Sequence, residues 1–401
     1  MPIRALIMQP TLPKYRIPVF RDLASRPGIE LLICHGLMQG IPLEKADGFS
    51  THVHPYSSIP APGGGFEWHF PPVGMLSRRR IDVAVLQWNI RFLSLPLTVL
   101  RCRLAGIPVV LWGHGCSKQE SPAKAALRRW MGSWGDAVIV YNRGTADALV
   151  AAGLARDRTF VALNALDPEP IAKACAALRD NPAILAEHAK AIWSIPGQEF
   201  NPSSGPRLLH ISRLNEANRL DRALHAIAAL RGTYPAIKLV VVGNGPDEKP
   251  LRALAAQLGI EPHITFAGAI YSDEELAPYF LTAQQFIYPE NIGLSLNHAM
   301  AHGLPVITSD RTEAQNPEIE ALRHEHNGLL YAHGDDAAFR KAIVRLHLGS
   351  DFRRTLADAA WNTIHGRYTI SRMVDGLEAA LRYAVASRKG DMTQFALPAN
   401  S

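Results

Sequence analysis

The sequence predicts an α/β protein with two doubly wound, Rossmann-like domains that face each other across a cleft. Its 401 residues suffice for two or three domains. In both halves, short apolar runs alternate with helical segments, which is the pattern of parallel sheets covered by helices. The halves also differ in charge. Residues 1–200 carry 22 basic and 15 acidic side chains, a net charge of +7, whereas residues 201–401 carry 20 and 21, a net charge of −1. This asymmetry indicates two domains with different partners.

Composition excludes several classes of protein. Apolar residues make up 47% and charged residues 19% of the chain, which is typical of a folded globular protein and not of a disordered or fibrous one. No run of eighteen apolar residues occurs, and the apolar run at the N-terminus ends at Gln9, so we expect neither a transmembrane helix nor a signal peptide. The four cysteines and sixteen histidines lack the spacings of metal sites. We therefore expect no bound metal, and reduced thiols in a cytoplasmic protein.

The first half predicts one parallel sheet. Several of its strand candidates are apolar along their whole length, as in strands buried on both faces. The candidates are residues 4–8, 30–34, 83–87, 109–112, 137–141 and 159–162. The helical segments are residues 18–24, 90–104, 123–131 and 145–152. Parallel neighbours need such crossovers, so this half predicts a doubly wound domain.

The second half repeats this arrangement. Its predicted strands are residues 207–211, 238–242, 264–267, 285–288 and 305–308. Its predicted helices are residues 220–231, 248–257, 272–281, 294–302 and 337–348. Ligands of such folds bind at the carboxyl ends of the strands, so we expect the chemistry on the loops that follow strands.

These segments also predict the domain boundaries. We expect an N-terminal domain over residues 1–195 and a second domain over residues 207–368. Between them, residues 196–206 are rich in Pro, Gly, Ser and Asn, which is typical of a linker. A C-terminal helix is predicted over residues 369–390 and can cross back to the first domain, and a tail follows over residues 391–401.

The most informative loop lies within residues 287–307. Glu290 follows a predicted strand in a turn. A helix begins at Gly293, Leu294 and Ser295, and the free amides of its first turn can bind an anion. The alternative is an ordinary strand–turn–helix, in which Glu290 only stabilises the positive end of the helix.

This loop resembles the ExxxxxxxE signature of the retaining glycosyltransferases of family 4, which have the GT-B fold. Glu290 begins the signature, residues 299–306 (AMAHGLPV) are similar to its end, and His298 occupies the position of the second Glu. The resemblance implies that Glu290 faces the hydroxyls of the donor sugar and that residues 293–295 bind the donor diphosphate. It also implies that His298, which can donate or accept a hydrogen bond, contacts the nucleotide ribose.

Residues 211–221 are similar to the family element whose Arg and Lys clamp the donor diphosphate. Fixed cations stabilise a leaving group that gains negative charge as its bond breaks. Arg213 matches the family Arg, Asn218 occupies the Lys position, and Arg219 follows it. We predict that Arg219 replaces the missing cation; the alternative is a solvated surface residue.

Two further segments resemble the family in the expected order. Residues 242–246 (VGNGP) are similar to a turn near the nucleotide, which implies nucleotide contacts at Gly243 and Gly245. Ile270 and Tyr271 follow a segment similar to the one that precedes the base-binding loop, which implies that these two residues contact the base.

The first half resembles the family less closely. His114 follows a predicted strand, like the family histidine that faces the donor sugar, and the alternative is a buried structural histidine. The Gly-Gly loop that the family has after the first strand is absent. Lys14, Tyr15 and Arg16 stand there instead, and we interpret them as acceptor-side contacts.

The resemblance implies transfer of a sugar from a nucleotide-diphosphate donor to a glycan or lipid-linked acceptor, with retention of configuration. No DxD motif occurs, so we expect neither a metal ion nor a cofactor. The family also implies bacterial surface polysaccharide or exopolysaccharide biosynthesis. A second interpretation stays open: a catalytically inactive member that only binds the nucleotide sugar. A periplasmic-type binding protein is disfavoured by the four motifs in order.

Basic residues concentrate at residues 78–80, 91–103 and 118–134, within or beside which lie Trp88, Phe92, Trp112, Trp130 and Trp134. Cations beside aromatic anchors are typical of helices at a membrane surface. We therefore expect peripheral contact with the anionic inner face of a membrane. The alternative is an ordinary helix with its tryptophans in the core and its arginines in water. No nucleic-acid-binding motif accompanies the charge, so we expect no nucleic-acid partner.

Overall fold

The computed structural model describes residues 2–37, 46–60, 65–118 and 120–390, so the predicted tail at 391–401 lies outside the described residues. The chain divides into two compact units. Unit 1 comprises residues 1–164 and 370–401, and unit 2 comprises residues 165–369.

Unit 1 contains a parallel sheet and a separate antiparallel hairpin. Its strands are β1 (Ile3–Gln9), β2 (Ile29–His35), β3 (Ser50–Val53), β4 (Tyr56–Ile59), β5 (Phe66–His69), β6 (Val83–Gln87), β7 (Val109–Trp112), β8 (Ala137–Val140) and β9 (Thr159–Val161). The sheet has the order β3-β2-β1-β6-β7-β8-β9, and β4 pairs with β5. Strands β7 and β8 are buried throughout, which accounts for their unbroken apolar sequences.

In the described part of unit 1, four α-helices precede residue 164: α1 (Ile17–Ser25), α2 (Leu95–Leu104), α3 (Pro122–Gly132) and α4 (Arg143–Ala151). Polar side chains fix where two of them begin. The Ser121 hydroxyl accepts from the Lys124 amide at the start of α3, and the Asn142 side chain accepts from the Thr145 amide at the start of α4.

Unit 2 contains a second parallel sheet. Its strands are β10 (Arg207–Ile211), β11 (Lys238–Val242), β12 (Ile264–Gly268), β13 (Gln285–Ile287), β14 (Val306–Ser309) and β15 (Gly328–Tyr331). Its helices are α5 (Pro168–Arg179), α6 (Pro182–Trp193), α7 (Leu220–Leu230), α8 (Glu248–Gln257), α9 (Asp273–Thr282), α10 (Leu294–Ala301), α11 (Asp336–Leu348) and α12 (Ser350–Arg367).

The strand order of this sheet is β12-β11-β10-β13-β14-β15. The chain leaves β10 toward one edge and returns to β13 on the other side, so the topological switch point lies between β10 and β13. In doubly wound folds a ligand binds outside the carboxyl ends of the strands at that point. A ligand of unit 2 is therefore expected at the loops after β10 and β13.

The last helix, α13 (Ile370–Lys389), groups with unit 1, where it packs on α1, β8 and β9. Gly376 allows this close approach, because a Cβ there would lie 2.1 Å from the Val161 carbonyl oxygen.

The structure corrects the domain boundary predicted at residue 195, since residues 165–195 belong to unit 2. Helices α5 and α6 pack against α9, and the Trp193 indole donates to the Thr282 hydroxyl at 2.7 Å. The predicted linker at 196–206 therefore lies within unit 2.

The predicted strands and helices are otherwise present within a few residues. Some elements are not predicted by the sequence: strands β3, β4, β5 and β15 and helices α5, α6 and α12. Strand β3 is exposed along its whole length and β4 along most of it, so neither carries the apolar run that marks the buried strands. No helix in the described ranges combines the length and the apolar character needed to cross a membrane.

Candidate active site

The loops after β10 and β13 lie side by side at the switch point of unit 2. Ser212 and Arg213 follow β10, and Glu290 follows β13. The Glu290 amide donates to the Asn218 carbonyl at 3.2 Å, which joins the two loops through their backbones. Sequence-predicted residues that are far apart in the chain are thus brought to one edge of the sheet.

Glu290 is 8% exposed and its loop is fixed on several sides. The Pro289 carbonyl accepts from the Tyr331 hydroxyl at 3.1 Å and from the Ser309 amide at 3.2 Å. Asn291 adopts φ +65°, a left-handed conformation that asparagine tolerates better than most residues. These contacts fix the backbone on both sides of Glu290.

His333, which sequence analysis missed, contacts this carboxylate. Its Nδ1 lies 2.9 Å from Glu290 Oε1, and its backbone amide donates to Asp310 Oδ1 at 2.9 Å. His333 follows β15, and a strand prediction there would have marked its loop as part of the ligand-binding edge. His333 therefore places a ring nitrogen in contact with the buried carboxylate of Glu290.

Asn218 is buried, and its side chain is engaged within the protein. Its Nδ2 donates to the Arg213 carbonyl at 2.8 Å and to the Ser212 hydroxyl at 3.1 Å, and its Oδ1 accepts from Asn291 Nδ2 at 2.9 Å. The structure therefore makes Asn218 the bridge between the two loops, and not the exposed diphosphate contact that the family Lys position suggests.

A buried histidine extends this network. His210 Nε2 lies 2.7 Å from the Ser212 hydroxyl, and its Nδ1 lies 2.9 Å from the Ile287 carbonyl. Burial lowers the pKa of His210 to about 4, so the ring is neutral at pH 7 and one nitrogen accepts while the other donates. His210 thus connects β10 to β13 directly below the loops.

The two arginines of the predicted clamp differ in their surroundings. The Arg213 side chain is exposed and makes no ion pair within the described part of the chain. Arg219, at φ +52°, forms a bidentate pair with Asp221, with distances of 3.0 and 2.9 Å. Its hydrogen bond to Asp221 and the negative charge of Glu290 nearby raise the pKa of Arg219. Arg213 is therefore the cation with its charge available to a ligand.

The predicted helix start after Glu290 is present. Gly293 is the N-cap, α10 begins at Leu294, and Ser295 lies in its first turn. All three residues are half-buried at the edge of the unit, where the first-turn amides have no partner in the preceding helix turn. An anion bound at this helix start would contact residues that lie only a few positions after Glu290 in the chain.

Gly243 and Gly245 have a packing role in the structure. A Cβ at Gly243, which adopts φ +131°, would lie 1.8 Å from the Ser212 carbonyl oxygen. A Cβ at Gly245 would lie 2.0 Å from the Leu214 carbonyl oxygen. Both glycines let the loop after β11 pack against the loop after β10. This close packing is by itself sufficient to explain glycine at both positions, and their contact with the nucleotide stays a prediction.

The structure brings together the other residues predicted to bind the nucleotide. His298 Nε2 lies 3.3 Å from Oδ1 of Asp273, the first residue of α9. Ile270 and the exposed Tyr271 lie on the loop that leads into that helix. Asp273 thus places a carboxylate beside the histidine that occupies the second Glu position, a pairing that the sequence did not reveal.

His114 in unit 1 is exposed, so it is not the buried structural histidine of the alternative interpretation. Its ring lies 4.9 Å from the Tyr141 ring. Although part of the ring is open to solvent, the protein atoms packed around it remove enough water to lower the pKa of His114 to about 4, and the positive charges of Arg16, Lys118 and Arg128 add to this shift. The ring is therefore neutral at pH 7 and can donate or accept a hydrogen bond.

The three residues predicted as acceptor-side contacts separate into two kinds. Lys14 and Tyr15 are exposed. Arg16 is buried, with its guanidinium 4.6 Å from the Trp112 ring and its Nη2 donating to the Tyr141 hydroxyl at 3.1 Å. Arg16 thus packs with aromatic residues inside unit 1, and of the three residues only Lys14 and Tyr15 offer exposed side chains to an acceptor.

Two family models match most of the chain. The model of glycosyl transferases group 1 matches residues 191–363, and that of Glycosyltransferase Family 4 matches residues 23–170. The chain belongs to the family 4-like glycosyltransferases. The family predicted from the loop around Glu290 is thus confirmed, and retention of configuration stays a prediction.

Curated relatives of this glycosyltransferase are similar over different lengths. The GDP-mannose-dependent alpha-(1-6)-phosphatidylinositol monomannoside mannosyltransferase of Mycobacterium tuberculosis is 27% identical over 302 residues, 71% of each chain. The lipopolysaccharide core biosynthesis glycosyltransferase LpsE of Rhizobium meliloti is 25% identical over 177 residues, which is 43% of this chain and 49% of LpsE.

A solved structure shows the same fold. HepE of Anabaena, in complex with UDP, aligns with a TM-score of 0.66 at 16% identity, over 95% of this chain and all of HepE. Its fold is GT-B, as is that of this glycosyltransferase, and the fold class predicted from the sequence is confirmed.

Proposed function

We propose that this glycosyltransferase moves a sugar from a nucleoside-diphosphate sugar to a glycan or lipid-linked acceptor, with retention of configuration and without a metal ion. The observation that carries the proposal is the Glu290 carboxylate, held by His333 at the carboxyl edge of the sheet. Exposed Arg213 on the neighbouring loop and the first turn of α10 offer positive charge beside it. A nucleoside diphosphate as part of the donor agrees with two similar proteins: the mycobacterial relative is named for GDP-mannose, and HepE was solved with UDP.

In the proposed reaction, the acceptor oxygen bonds to the anomeric carbon on the face from which the diphosphate leaves. The bond between the anomeric carbon and the diphosphate oxygen breaks. The acceptor proton passes to a phosphate oxygen of the departing nucleoside diphosphate. Arg213 and the amides of residues 293–295 stabilise the charge that develops on the diphosphate. Glu290 accepts hydrogen bonds from the sugar hydroxyls and forms no covalent bond.

The remaining predicted residues take supporting roles in this proposal. Neutral His114 faces the donor sugar, and Lys14 and Tyr15 contact the acceptor. Arg219 adds positive charge near the diphosphate. The residues proposed to contact the nucleotide are Ile270, Tyr271 and His298, with Asp273 orienting the histidine.

We place the reaction in bacterial polysaccharide or exopolysaccharide assembly, on the cytoplasmic side of a membrane. Relatives named for mannosyl phosphoinositide and lipopolysaccharide core synthesis support the choice of a glycan or lipid-linked acceptor. All four cysteines are free, which fits a reducing compartment. Peripheral membrane contact through unit 1 is part of the proposal.

The second candidate is a member that binds the nucleotide sugar without transferring it. It is favoured by the buried position of Asn218 and by the His298–Asp273 pair where the family has other residues.

Donor binding and turnover, measured with the same panel of UDP-, GDP- and dTDP-sugars, separate the two candidates. Thermal shift identifies the nucleotide that stabilises the folded chain. We expect that donor to be hydrolysed slowly in the absence of an acceptor. With a glycan or lipid acceptor, we expect its sugar to be transferred with the anomeric configuration retained. Binding without hydrolysis or transfer supports the inactive member, and no binding at all contradicts both candidates.

A further inference from the structure

Helix α2 is apolar on two opposite faces. Its inward face lies in the core of unit 1 and consists of Leu95, Thr98, Val99 and Cys102. Its outward side carries four exposed leucines, here called the leucine row: Leu93, Leu97, Leu100 and Leu104. Their spacing of four, three and four residues continues one stripe from the turn before the helix to its end. Leu104 is 75% exposed.

Helix α3 continues this apolar surface. Strands β6, β7 and β8 are neighbours in the sheet, and right-handed crossovers place α2 and α3 on the same side of it. Arg103 Nη2 donates to the Trp134 carbonyl at 3.1 Å, which joins the ends of the two helices. On α3, Leu127 is exposed and Trp130 is 60% exposed. Single exposed leucines are ordinary, but a row of four beside an exposed Trp marks an interaction surface.

The surroundings of this surface are strongly basic. Between residues 70 and 135 the sequence has ten basic and two acidic residues. Both acidic residues are engaged by arginines: Asp82 pairs with Arg4 at 2.9 Å, and Glu120 pairs with Arg128 at 2.7 Å. They therefore do not neutralise the remaining cations around the leucine row.

Several of these cations border the row. Arg103 lies on α2 itself and Arg129 on α3, and the Arg78 side chain lies beside Gly106, just after α2 ends. The sequence interpretation of α3 as an Arg–Trp helix is refined here. Arg128 is buried in its ion pair, so the apolar contacts come from Trp130 and, above all, from α2.

We propose that the leucine row, together with Leu127 and Trp130, docks on the surface of an anionic lipid bilayer. Leucine and tryptophan side chains enter the boundary between headgroups and acyl chains, while arginines beside them bind lipid phosphates. Charge selects this partner: two copies of so basic a surface would repel each other, which disfavours a dimer through this face. The inference rests on the proposed function in one respect: a lipid-linked acceptor is the reason for the protein to bind a membrane.

Vesicle co-sedimentation of the full chain tests the proposal. The vesicles are pure phosphatidylcholine or an equal mixture of phosphatidylcholine and phosphatidylglycerol, each at low and high salt. The variants are Leu97→Gln/Leu104→Gln on the row and Arg78→Gln/Arg129→Gln on the basic border. The matched control is Leu348→Gln, a leucine of unit 2 that is 67% exposed.

We expect binding to anionic vesicles that weakens at high salt, because screening removes the attraction of the arginines. The double leucine variant should bind anionic vesicles at least about tenfold more weakly, because two apolar side chains no longer enter the bilayer. The double arginine variant should lose binding mainly at low salt, and Leu348→Gln should bind like the unchanged chain.

Equal binding by all variants, or no binding to anionic vesicles at low salt, overturns the proposal. So does light scattering that shows a dimer which the double leucine variant converts to a monomer, since the row would then be a self-interface. Thermal shift with nucleotides, measured on the same samples, keeps the two proposals separate. Nucleotide binding without vesicle binding removes the docking surface and the membrane contact but leaves the transferase mechanism, and vesicle binding without nucleotide binding removes only the transferase mechanism.

Discussion

The Glu290 carboxylate is 8% exposed, and the His333 ring lies against it. The 2.9 Å contact between His333 Nδ1 and Glu290 Oε1 also fixes which way the carboxylate points. If Glu290 orients the donor sugar, His333 acts through it as a positioning residue. Its removal should then alter transfer and leave nucleotide binding in place.

His333→Ala should lower kcat about tenfold or more with little change in nucleotide affinity, because the carboxylate loses its partner and its orientation. A double-mutant cycle with Glu290→Gln measures the dependence of one residue on the other. We expect His333→Ala to have little further effect in the Glu290→Gln chain. Additive losses would show that His333 acts independently of Glu290.

The two arginines should contribute unequally to donor affinity. Arg213→Ala should weaken binding of the preferred nucleoside diphosphate about 10- to 100-fold, the value of a lost charge-assisted hydrogen bond of about 1.5–3 kcal/mol. Arg219→Ala should weaken it less, because Asp221 already holds that guanidinium in a bidentate pair. Isothermal titration calorimetry measures both, and the reverse order of effects would contradict this assignment.

At the level of elements, the site consists of loops that come together only in the folded sheet. Glu290, Arg213 and the start of α10 could be predicted because each follows a strand or begins a helix within a short stretch of sequence. His333 could not, because β15 was not predicted and its loop is 43 residues from Glu290 in the chain. The role of Asn218 depends on three hydrogen bonds to other loop residues, which no local pattern reveals.

Asn218→Ala should lower the free energy of unfolding of unit 2 by about 1–3 kcal/mol, because the Arg213 carbonyl and the Asn291 amide lose a buried partner. Urea denaturation measures the loss. Asn215→Ala is the control, since its amide makes one exposed bond of 3.2 Å to the same carbonyl. An Asn218→Ala chain as stable as the control would exclude the bridging role.

For the whole molecule, alternating strands and helices allowed both sheets to be predicted, but not the division of the chain between the units. The Pro- and Ser-rich segment at 196–206 suggests a linker by composition, whereas α5 and α6 join unit 2 through contacts with α9. The packing of α13 on unit 1 likewise depends on long-range contacts.

Both units contain buried histidines that make stability depend on pH. Burial lowers the pKa of His69 and His210 to about 4 and that of His302 to about 3. In the unfolded chain these groups have ordinary pKa values of about 6.5, so unfolding takes up protons below that pH. The stability is therefore complete above about pH 6.5 and is lost as the pH falls toward 4.

Urea denaturation should accordingly give a lower free energy of unfolding at about pH 5.5 than at about pH 7, a range in which ordinary carboxyl groups hardly titrate. Each of the three histidines adds up to about 1.4 kcal/mol per pH unit. His302→Gln should reduce this dependence for unit 2. A free energy that stays constant between these pH values would contradict the neutral buried state of the rings.

The most direct test of the central claim compares sugar transfer with nucleotide binding in the Glu290→Gln chain. Glutamine keeps the shape of the side chain and removes the charge that should orient the sugar hydroxyls. We expect transfer from the preferred donor to fall about 100-fold or more, with the affinity for the free nucleoside diphosphate unchanged. Exposed Glu261→Gln is the control and should keep full activity. Full transfer activity in Glu290→Gln would contradict the role given to this carboxylate.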